Sequence, residues 1–279
     1  MSADEPVAGS DLAPDPSPDP WAALARLTPA RIGLGRAGSA LPTREVLRFG
    51  LAHAMARDAV HAPFEAEAVA LAVEALGFTT VRVESRADGR ESYLRRPDLG
   101  RRLSARSCEA LAGSVAPEAA PDLAVVVADG LSATAVHRNA APCLAALKPR
   151  LDREGWRVGT VAVAAQARVA LGDEVGALLG AALVLVLIGE RPGLSSPDSL
   201  GAYLTLGPRV GRSDAERNCV SNIRAEGLSA EAAAFKLAWL AREARRAGAT
   251  GVALKDASDR ELALTVQTPT RLPSPEGAG

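Results

Sequence analysis

Two acidic residues stand directly after long apolar segments, where a carboxylate could bind a ligand. Asp129 follows the segment 123–128, and Glu190 follows the segment 183–188 after a single glycine. A carboxylate at the end of a buried strand is partly desolvated, and this costs free energy unless hydrogen-bond donors satisfy it. Glu190 could accept such bonds from a ligand. It could equally cap the next loop or pair with Arg191, and the residues alone leave both interpretations open.

The cysteines and histidines are too few and too scattered for a disulfide framework or a structural zinc site. The chain has three of each, namely Cys108, Cys143, Cys219, His53, His61 and His137. Zinc sites need clustered ligands, and disulfide frameworks need paired cysteines. His53, His61 and Asp58 form only a thin set of metal ligands, so helix capping or contact with a partner is favoured for them. We therefore expect reduced cysteines and no metal ligands on this chain.

Two short motifs match known patterns, but their surroundings do not fit. Residues 33–38 read G-x-G-x-x-G, the dinucleotide fingerprint, which requires a buried strand before it and a helix directly after it. The preceding residues 27–31 contain a proline and are not an apolar strand, so a glycine-rich turn is favoured. Ser132, His137 and Asp129 suggest a hydrolase, yet the nucleophile elbow G-x-S-x-G is missing. Neither motif assigns an activity.

The apolar pattern of the C-terminal half predicts an α/β domain. Three segments are apolar throughout and are separated by helical patterns: 123–128, 158–164 and 183–188. Such strands indicate a parallel sheet that helices cover on both faces. We therefore predict a Rossmann-like, doubly wound parallel sheet, with a last short strand at 251–254. Its ligand crevice should lie at the carboxyl ends of the strands, at Asp129, 164–170 and 189–190.

No element is predicted between Glu190 and Ser229. Connections in α/β domains usually take about 2–6 residues, so a loop of this length is usually functional or part of an interface. It holds two distinctive segments, 191–199 and 214–219. We therefore expect the binding site to include this loop.

The sequence also predicts a division into four parts. Residues 1–28 should be disordered, because their Pro-rich and acidic start cannot bury enough apolar surface to offset the entropy of ordering. Residues 29–115 are predicted to be a mostly helical subdomain. Residues 116–265 are predicted to form the Rossmann-like domain, and residues 266–279 a flexible tail.

Charge and hydropathy restrict the partners of the chain. Its 32 basic and 33 acidic residues give a net charge of −1, which argues against general affinity for nucleic acid or anionic membranes. No secretory signal opens the sequence, and no apolar segment reaches the roughly 18 residues of a membrane span. We therefore expect a cytoplasmic protein.

Six blocks of sequence match the pattern of one known family, in order and at consistent spacing. The blocks are 36–44, 51–60, 96–101, 127–133, 187–203 and 216–224. They resemble the small subunit of ethanolamine ammonia-lyase, and the block 187–203 is the most specific. Several ordered blocks together make this resemblance far more specific than any single short motif.

The resemblance implies an adenosylcobalamin-dependent radical enzyme that converts ethanolamine to acetaldehyde and ammonia. In this family a large subunit, a TIM barrel, carries most of the chemistry, so no catalytic residue is expected on this chain. The small subunit closes over the cobalamin at the interface, with contacts that fall here at Val169, Glu190 and Cys219. The family also implies a hetero-oligomer with several copies of each subunit, and it leaves a bacterial microcompartment open as the location.

The resemblance also implies a role for each contact. Glu190 should accept hydrogen bonds from the cobalamin periphery, and Val169 should offer a backbone group or an apolar contact. Cys219 should touch the cofactor away from the adenosyl carbon, because a thiol would quench a nearby radical. The mutase motif D-x-H-x-x-G is absent after Asp129, so the cofactor should keep its own benzimidazole as lower ligand. Two alternatives stay open: a stand-alone nucleotide-binding enzyme, and a structural partner without cofactor contacts.

Overall fold

The computed structural model describes residues 21–28, 30–113 and 120–261. The predicted flexible tail, residues 266–279, lies outside these ranges. So does most of the segment predicted to be disordered, residues 1–28, for which no structural statement is made before Trp21.

The first compact unit spans residues 1–55 and carries the glycine-rich motif. It contains a 3₁₀ helix, Ala22–Leu27, and the first part of helix α1, Thr43–His61. Among its described residues no strand precedes Gly33, and α1 does not begin until Thr43. The motif therefore lacks both the strand and the helix that a dinucleotide site requires.

The second compact unit, residues 56–279, is built on a six-stranded sheet. Its strands are β1 (Thr80–Glu84), β2 (Leu123–Ala128), β3 (Val158–Ala165), β4 (Leu183–Gly189), β5 (Leu200–Leu206) and β6 (Asn218–Ile223). They lie in the order β1-β3-β2-β4-β5-β6. Strands β1 to β4 are parallel to one another, whereas β5 is antiparallel to β4 and β6 is antiparallel to β5. The α/β class is confirmed.

The prediction of a wholly parallel sheet is wrong, because the sheet is mixed. Strands β5 and β6 occupy the stretch that was predicted to be one long loop after Glu190. Antiparallel neighbours can be joined without a crossover helix, so no helical pattern marked them in the sequence. The predicted strand at 251–254 is also wrong, since Gly251–Ala253 form a 3₁₀ helix. The Rossmann-like description stays a prediction, limited to the four parallel strands.

Helices cover both faces of the parallel strands. After the end of α1, the α-helices of this unit are α2 (Ala66–Glu74), α3 (Arg90–Arg95), α4 (Ala105–Gly113), α5 (Ala133–Arg153), α6 (Leu171–Leu178) and α7 (Ala230–Ala247). One buried apolar cluster packs α2, α5 and α7 on one face of the sheet, and a second cluster packs α4 and α6 on the other. Helices α5 and α7 begin where the hydroxyls of Ser132 and Ser229 accept a hydrogen bond from the backbone.

Strand β1 lies in the range 29–115 that was predicted to be mostly helical, and it pairs with β3 as an edge of the sheet. The other regular elements described in that range are helices. The domain boundaries at 29, 116 and 266 stay a prediction. Among the described residues, no helix combines the length and the apolar character needed to cross a bilayer.

Candidate functional site

The carboxyl ends of β2, β3 and β4 meet at one edge of the sheet. Asp129, directly after β2, accepts a 3.0 Å hydrogen bond at Oδ1 from the backbone N–H of Ala167, which follows β3. The N–H of Leu131 donates to the carbonyl of Gly189, the last residue of β4, at 2.9 Å. The helices that follow β2 and β3 lie on opposite faces of the sheet. Ligands of open α/β sheets bind at such a point.

Two glycines allow the ends of β2 and β4 to touch. Gly130 has a φ of +55°, and a Cβ placed on it would lie 2.2 Å from the carbonyl oxygen of Gly189. A Cβ placed on Gly189 would lie 2.1 Å from the carbonyl oxygen of Ser132. Only hydrogen fits at either position, so this wall of the site is bare backbone.

A crevice of about 410 Å³ opens beside this wall. Its lining includes Arg168, Val169, Glu190, Arg191 and Tyr203. Two of the three contacts implied by the family resemblance, Val169 and Glu190, therefore lie on the same crevice.

Glu190 is half-buried and is held by the chain itself. Its Oε2 accepts a 2.5 Å bond from the Ser199 hydroxyl and a 3.3 Å bond from the backbone N–H of Asn222. Its Oε1 lies above Gly201, where an added Cβ would approach it to 2.9 Å. Glu190 forms no ion pair with Arg191 in the described structure. Glu190 thus ties the end of β4 to β5 and β6, as a loop-capping residue would, while still lining the crevice.

Val169 lines the same crevice as Tyr203, and Cys219 lies opposite Tyr203 in the sheet. Val169 is half-buried between β3 and α6 and packs against the apolar cluster on that face. Cys219 is exposed on β6, directly opposite Tyr203 of β5. Desolvation raises the pKa of the Cys219 thiol above its usual value; a hydrogen bond with Tyr203 opposes this, and the nearby carboxylate of Glu190 adds to it. The thiol therefore stays protonated at neutral pH.

A cluster around Tyr93 also borders the crevice, and the sequence analysis missed it. The Tyr93 hydroxyl donates a 2.9 Å bond to the carbonyl of Ala167. The guanidinium carbons of Arg90 and Arg168 lie 5.0 and 4.3 Å from the centre of its ring, within the range of cation–π attraction. Arg90 also donates to Asp129 Oδ2 at 3.2 Å.

The amino-acid composition offered one indication of this cluster. The chain has only two tyrosines, in a sequence with 3% aromatic residues. Both of them, Tyr93 and Tyr203, line the crevice. The scarcity of the residue type could therefore have singled them out.

The hydrolase grouping does not form. The Ser132 hydroxyl donates to the carbonyl of Pro197 at 2.8 Å, and His137 Nε2 accepts from the backbone N–H of Glu65 at 3.1 Å. Asp129 bonds to other groups, so no charge relay connects the three residues. Across the described ranges, no three His, Cys, Asp or Glu side chains come close enough to hold a metal ion.

The fold and the site together define an α/β protein whose ligand crevice lies at the carboxyl edge of a mixed sheet. Comparison with known proteins identifies the family within this class. The sequence model of the family "Ethanolamine ammonia-lyase light chain" matches residues 18–255. The chain belongs to the ethanolamine ammonia-lyase light chain family.

Individual relatives agree with this assignment. The ethanolamine ammonia-lyase small subunit of Ralstonia nicotianae is 55% identical over 245 residues, which cover 88% of this chain and 91% of the relative. The protein of the same name from Rhodopseudomonas palustris is 57% identical over 244 residues, with coverages of 88% and 93%. A third, from Xanthomonas campestris, is 56% identical over 248 residues, with coverages of 88% and 91%.

Proposed function

We propose that this chain is the small subunit of an adenosylcobalamin-dependent ethanolamine ammonia-lyase, and that its crevice clasps the cobalamin against a large subunit. The assignment to this enzyme is supported by membership of the family. The observation that carries the clasping role is the placement of Val169 and Glu190 on one crevice at the carboxyl edge of the sheet. The four parallel strands with their helices would be the Rossmann-like part of this binding domain.

The crevice fits one edge of a cobalamin and not the whole molecule. Its volume of about 410 Å³ is at the lower end for a drug-sized ligand, and a cobalamin is considerably larger. The backbone wall at Gly130 and Gly189 lets a flat ring edge approach closely. The carboxylate of Glu190 matches the amide donors around a corrin ring. In this proposal the large subunit supplies the second wall.

Each predicted contact has a defined task in this proposal. Bound adenosylcobalamin supplies the radical chemistry that converts ethanolamine to acetaldehyde and ammonia. Glu190 accepts hydrogen bonds from peripheral amides, with its carboxylate oriented by Ser199 and Asn222. Val169 contributes an apolar contact. Cys219 carries a protonated thiol, a good hydrogen-atom donor, so it contacts the cofactor away from the reacting carbon.

No residue of this chain takes part in bond breaking in this proposal. The large subunit holds ethanolamine and most of the catalytic groups. The family pattern further supports an assembly with several copies of each subunit, located in the cytoplasm or inside a bacterial microcompartment.

Reconstitution tests the proposal. The full chain is mixed with the large subunit and adenosylcobalamin, and acetaldehyde formed from ethanolamine is measured, with reactions lacking one component as controls. We expect activity only when all three are present. Normal cobalamin binding by both Glu190→Ala and Cys219→Ala complexes would favour the purely structural partner. Binding of a dinucleotide by the chain alone would favour the nucleotide-binding alternative.

A further inference from the structure

Arg168 brings an unpaired positive charge to the crevice. Its side chain is half-buried and lines the crevice, yet no carboxylate of the described residues pairs with it. Its Nε is buried without a hydrogen-bond partner, and its Nη2 makes only a 3.5 Å contact with the carbonyl of Tyr93. A partly buried charge that lacks an ion-pair partner is less well solvated than in water, and this costs free energy. An anionic ligand would offset that cost.

The acidic residues around this crevice are already engaged. Asp129 accepts bonds from Arg90 and from the N–H of Ala167. Glu190 accepts bonds from Ser199 and Asn222. Neither carboxylate is within ion-pair distance of Arg168, so neither neutralises the charge that Arg168 brings to the lining of the crevice.

The side chain of Arg168 is held in place by its own chain before any ligand binds. Its backbone N–H donates to the carbonyl of Gly100 at 2.8 Å. A Cβ on Gly100 would lie 3.0 Å from the Arg168 Cγ, so the side chain is packed closely along this turn. Its guanidinium lies 4.3 Å from the centre of the Tyr93 ring. A guanidinium held in this way loses little freedom when it binds an anion.

We propose that Arg168 binds the phosphodiester of the nucleotide loop of cobalamin, an inference that rests on the proposed function. The periphery of the corrin carries neutral amides, and the phosphodiester is the anionic group of the molecule. Arginine is suited to phosphate oxygens because its planar group can donate two parallel hydrogen bonds. Glu190 would take amide donors elsewhere on the same crevice. The two opposite charges would thereby determine which edge of the cobalamin faces this chain.

A comparison of two corrinoids tests the proposal. Dicyanocobinamide keeps the corrin ring and its amides but lacks the nucleotide loop and therefore the phosphodiester. The complex of the full chain with the large subunit is titrated with cyanocobalamin and with dicyanocobinamide, and binding is followed by absorbance. We expect Arg168→Gln to raise the dissociation constant of cyanocobalamin by about tenfold or more. The dissociation constant of dicyanocobinamide should be unchanged.

Two further variants serve as controls. Arg168→Lys keeps the charge but not the paired donors, so the loss for cyanocobalamin should be smaller than in Arg168→Gln. Arg191→Gln removes an equal charge from an exposed position on the same crevice, and a loss as large as that of Arg168→Gln would mean that only general electrostatics act.

The outcomes separate this inference from the proposed function. Equal losses for both corrinoids, in Arg168 variants whose thermal unfolding matches the wild type, would overturn the phosphodiester assignment. Failure of the wild-type complex to bind either corrinoid would instead overturn the proposed function itself.

Discussion

Glu190 is held by groups at the start of β5 and in β6, the two strands that sequence patterns did not reveal. Ser199 directly precedes β5, and Asn222 lies in β6. Both donate to Oε2, so the carboxylate is oriented before any ligand arrives. Less entropy is then lost on binding, which strengthens any hydrogen bond that the carboxylate makes to a ligand.

We expect Glu190→Ala to weaken cobalamin binding and to spare turnover at saturating cofactor. Charge-assisted hydrogen bonds contribute roughly 1.5–3 kcal/mol each, or about a 10- to 100-fold change in the dissociation constant. Titration of the complex with cobalamin measures this change. Glu226→Ala, which removes an exposed acid after β6, is the matched control. A dissociation constant that does not change in Glu190→Ala would contradict the role.

Asp129 makes the stability of the chain depend on pH. Desolvation raises its pKa from the ordinary value of 3.8 to about 6, against the opposing effects of the Ala167 N–H and Arg90. The folded state therefore binds the proton more tightly than the unfolded state. The stabilisation is complete below pH 3.8 and is lost as the pH rises through about 6.

We expect the free energy of unfolding of the wild type to rise relative to Asp129→Asn by about 3 kcal/mol from pH 7 to pH 3. This magnitude is the pKa difference multiplied by about 1.4 kcal/mol per unit, and it is reached only well below the unfolded pKa. Urea unfolding of both proteins across this range measures it. A difference between the two proteins that stays constant with pH would show that Asp129 does not titrate there.

At the scale of elements, a buried ion pair fixes the start of β6 to α6. The Nη1 and Nη2 atoms of Arg217 donate to both carboxylate oxygens of Asp173, at 2.6 and 2.7 Å. The two side chains are only 2% and 1% exposed. Further bonds join Arg217 to Thr205 and to the carbonyl of Arg212. Cys219 follows Arg217 by two residues, so the ion pair helps to hold the strand that carries the thiol.

We expect Arg217→Met to lower the free energy of unfolding by about 3–5 kcal/mol, because Asp173 would remain buried without a partner. Combining it with Asp173→Leu should recover much of this loss, since an apolar pair carries no desolvation cost. Denaturant unfolding measures both effects. Arg153→Met, at an exposed position in α5, should change stability by less than about 0.5 kcal/mol. If Arg217→Met were as stable as the wild type, the ion pair would contribute nothing to stability.

Sequence patterns predicted β2, β3 and β4 because these strands lie inside the sheet. All residues of β2 and β4 are buried, so neither strand needs a polar side. The edge strands β1 and β6 bury only one and two residues, and their mixed composition resembles that of loops. Strand β5 follows a segment rich in proline and serine that indicated only a loop.

The candidate site was predictable where it depends on chain order and not where it depends on tertiary contacts. Val169 and Glu190 follow strands that could be recognised, and the family pattern named the same residues. Tyr93 reaches the site from α3, a helix far away in the sequence from Arg168. No spacing rule connects the two residues, so their contact required the structure.

At the scale of the whole molecule, a site shared by two subunits couples cofactor binding to assembly. If the large subunit supplies the second wall, each process must strengthen the other by the same factor. We expect the affinity for cobalamin to rise about tenfold or more when the large subunit is added. Subunit association, followed by analytical ultracentrifugation, should tighten by that factor when cobalamin is added. Equal cobalamin affinities of the chain alone and of the complex would contradict a shared site.

The contact between Gly130 and Gly189 has a genetic consequence. Every single-nucleotide change that turns a glycine codon into that of another amino acid adds at least a β-carbon, and neither position has space for one. Gly89, where nothing among the described residues lies within 4 Å of an added Cβ, has no such restriction. A single point mutation at either glycine therefore disrupts the junction of the two strands. Adaptation of the crevice to a different ligand has to come from substitutions of the surrounding side chains.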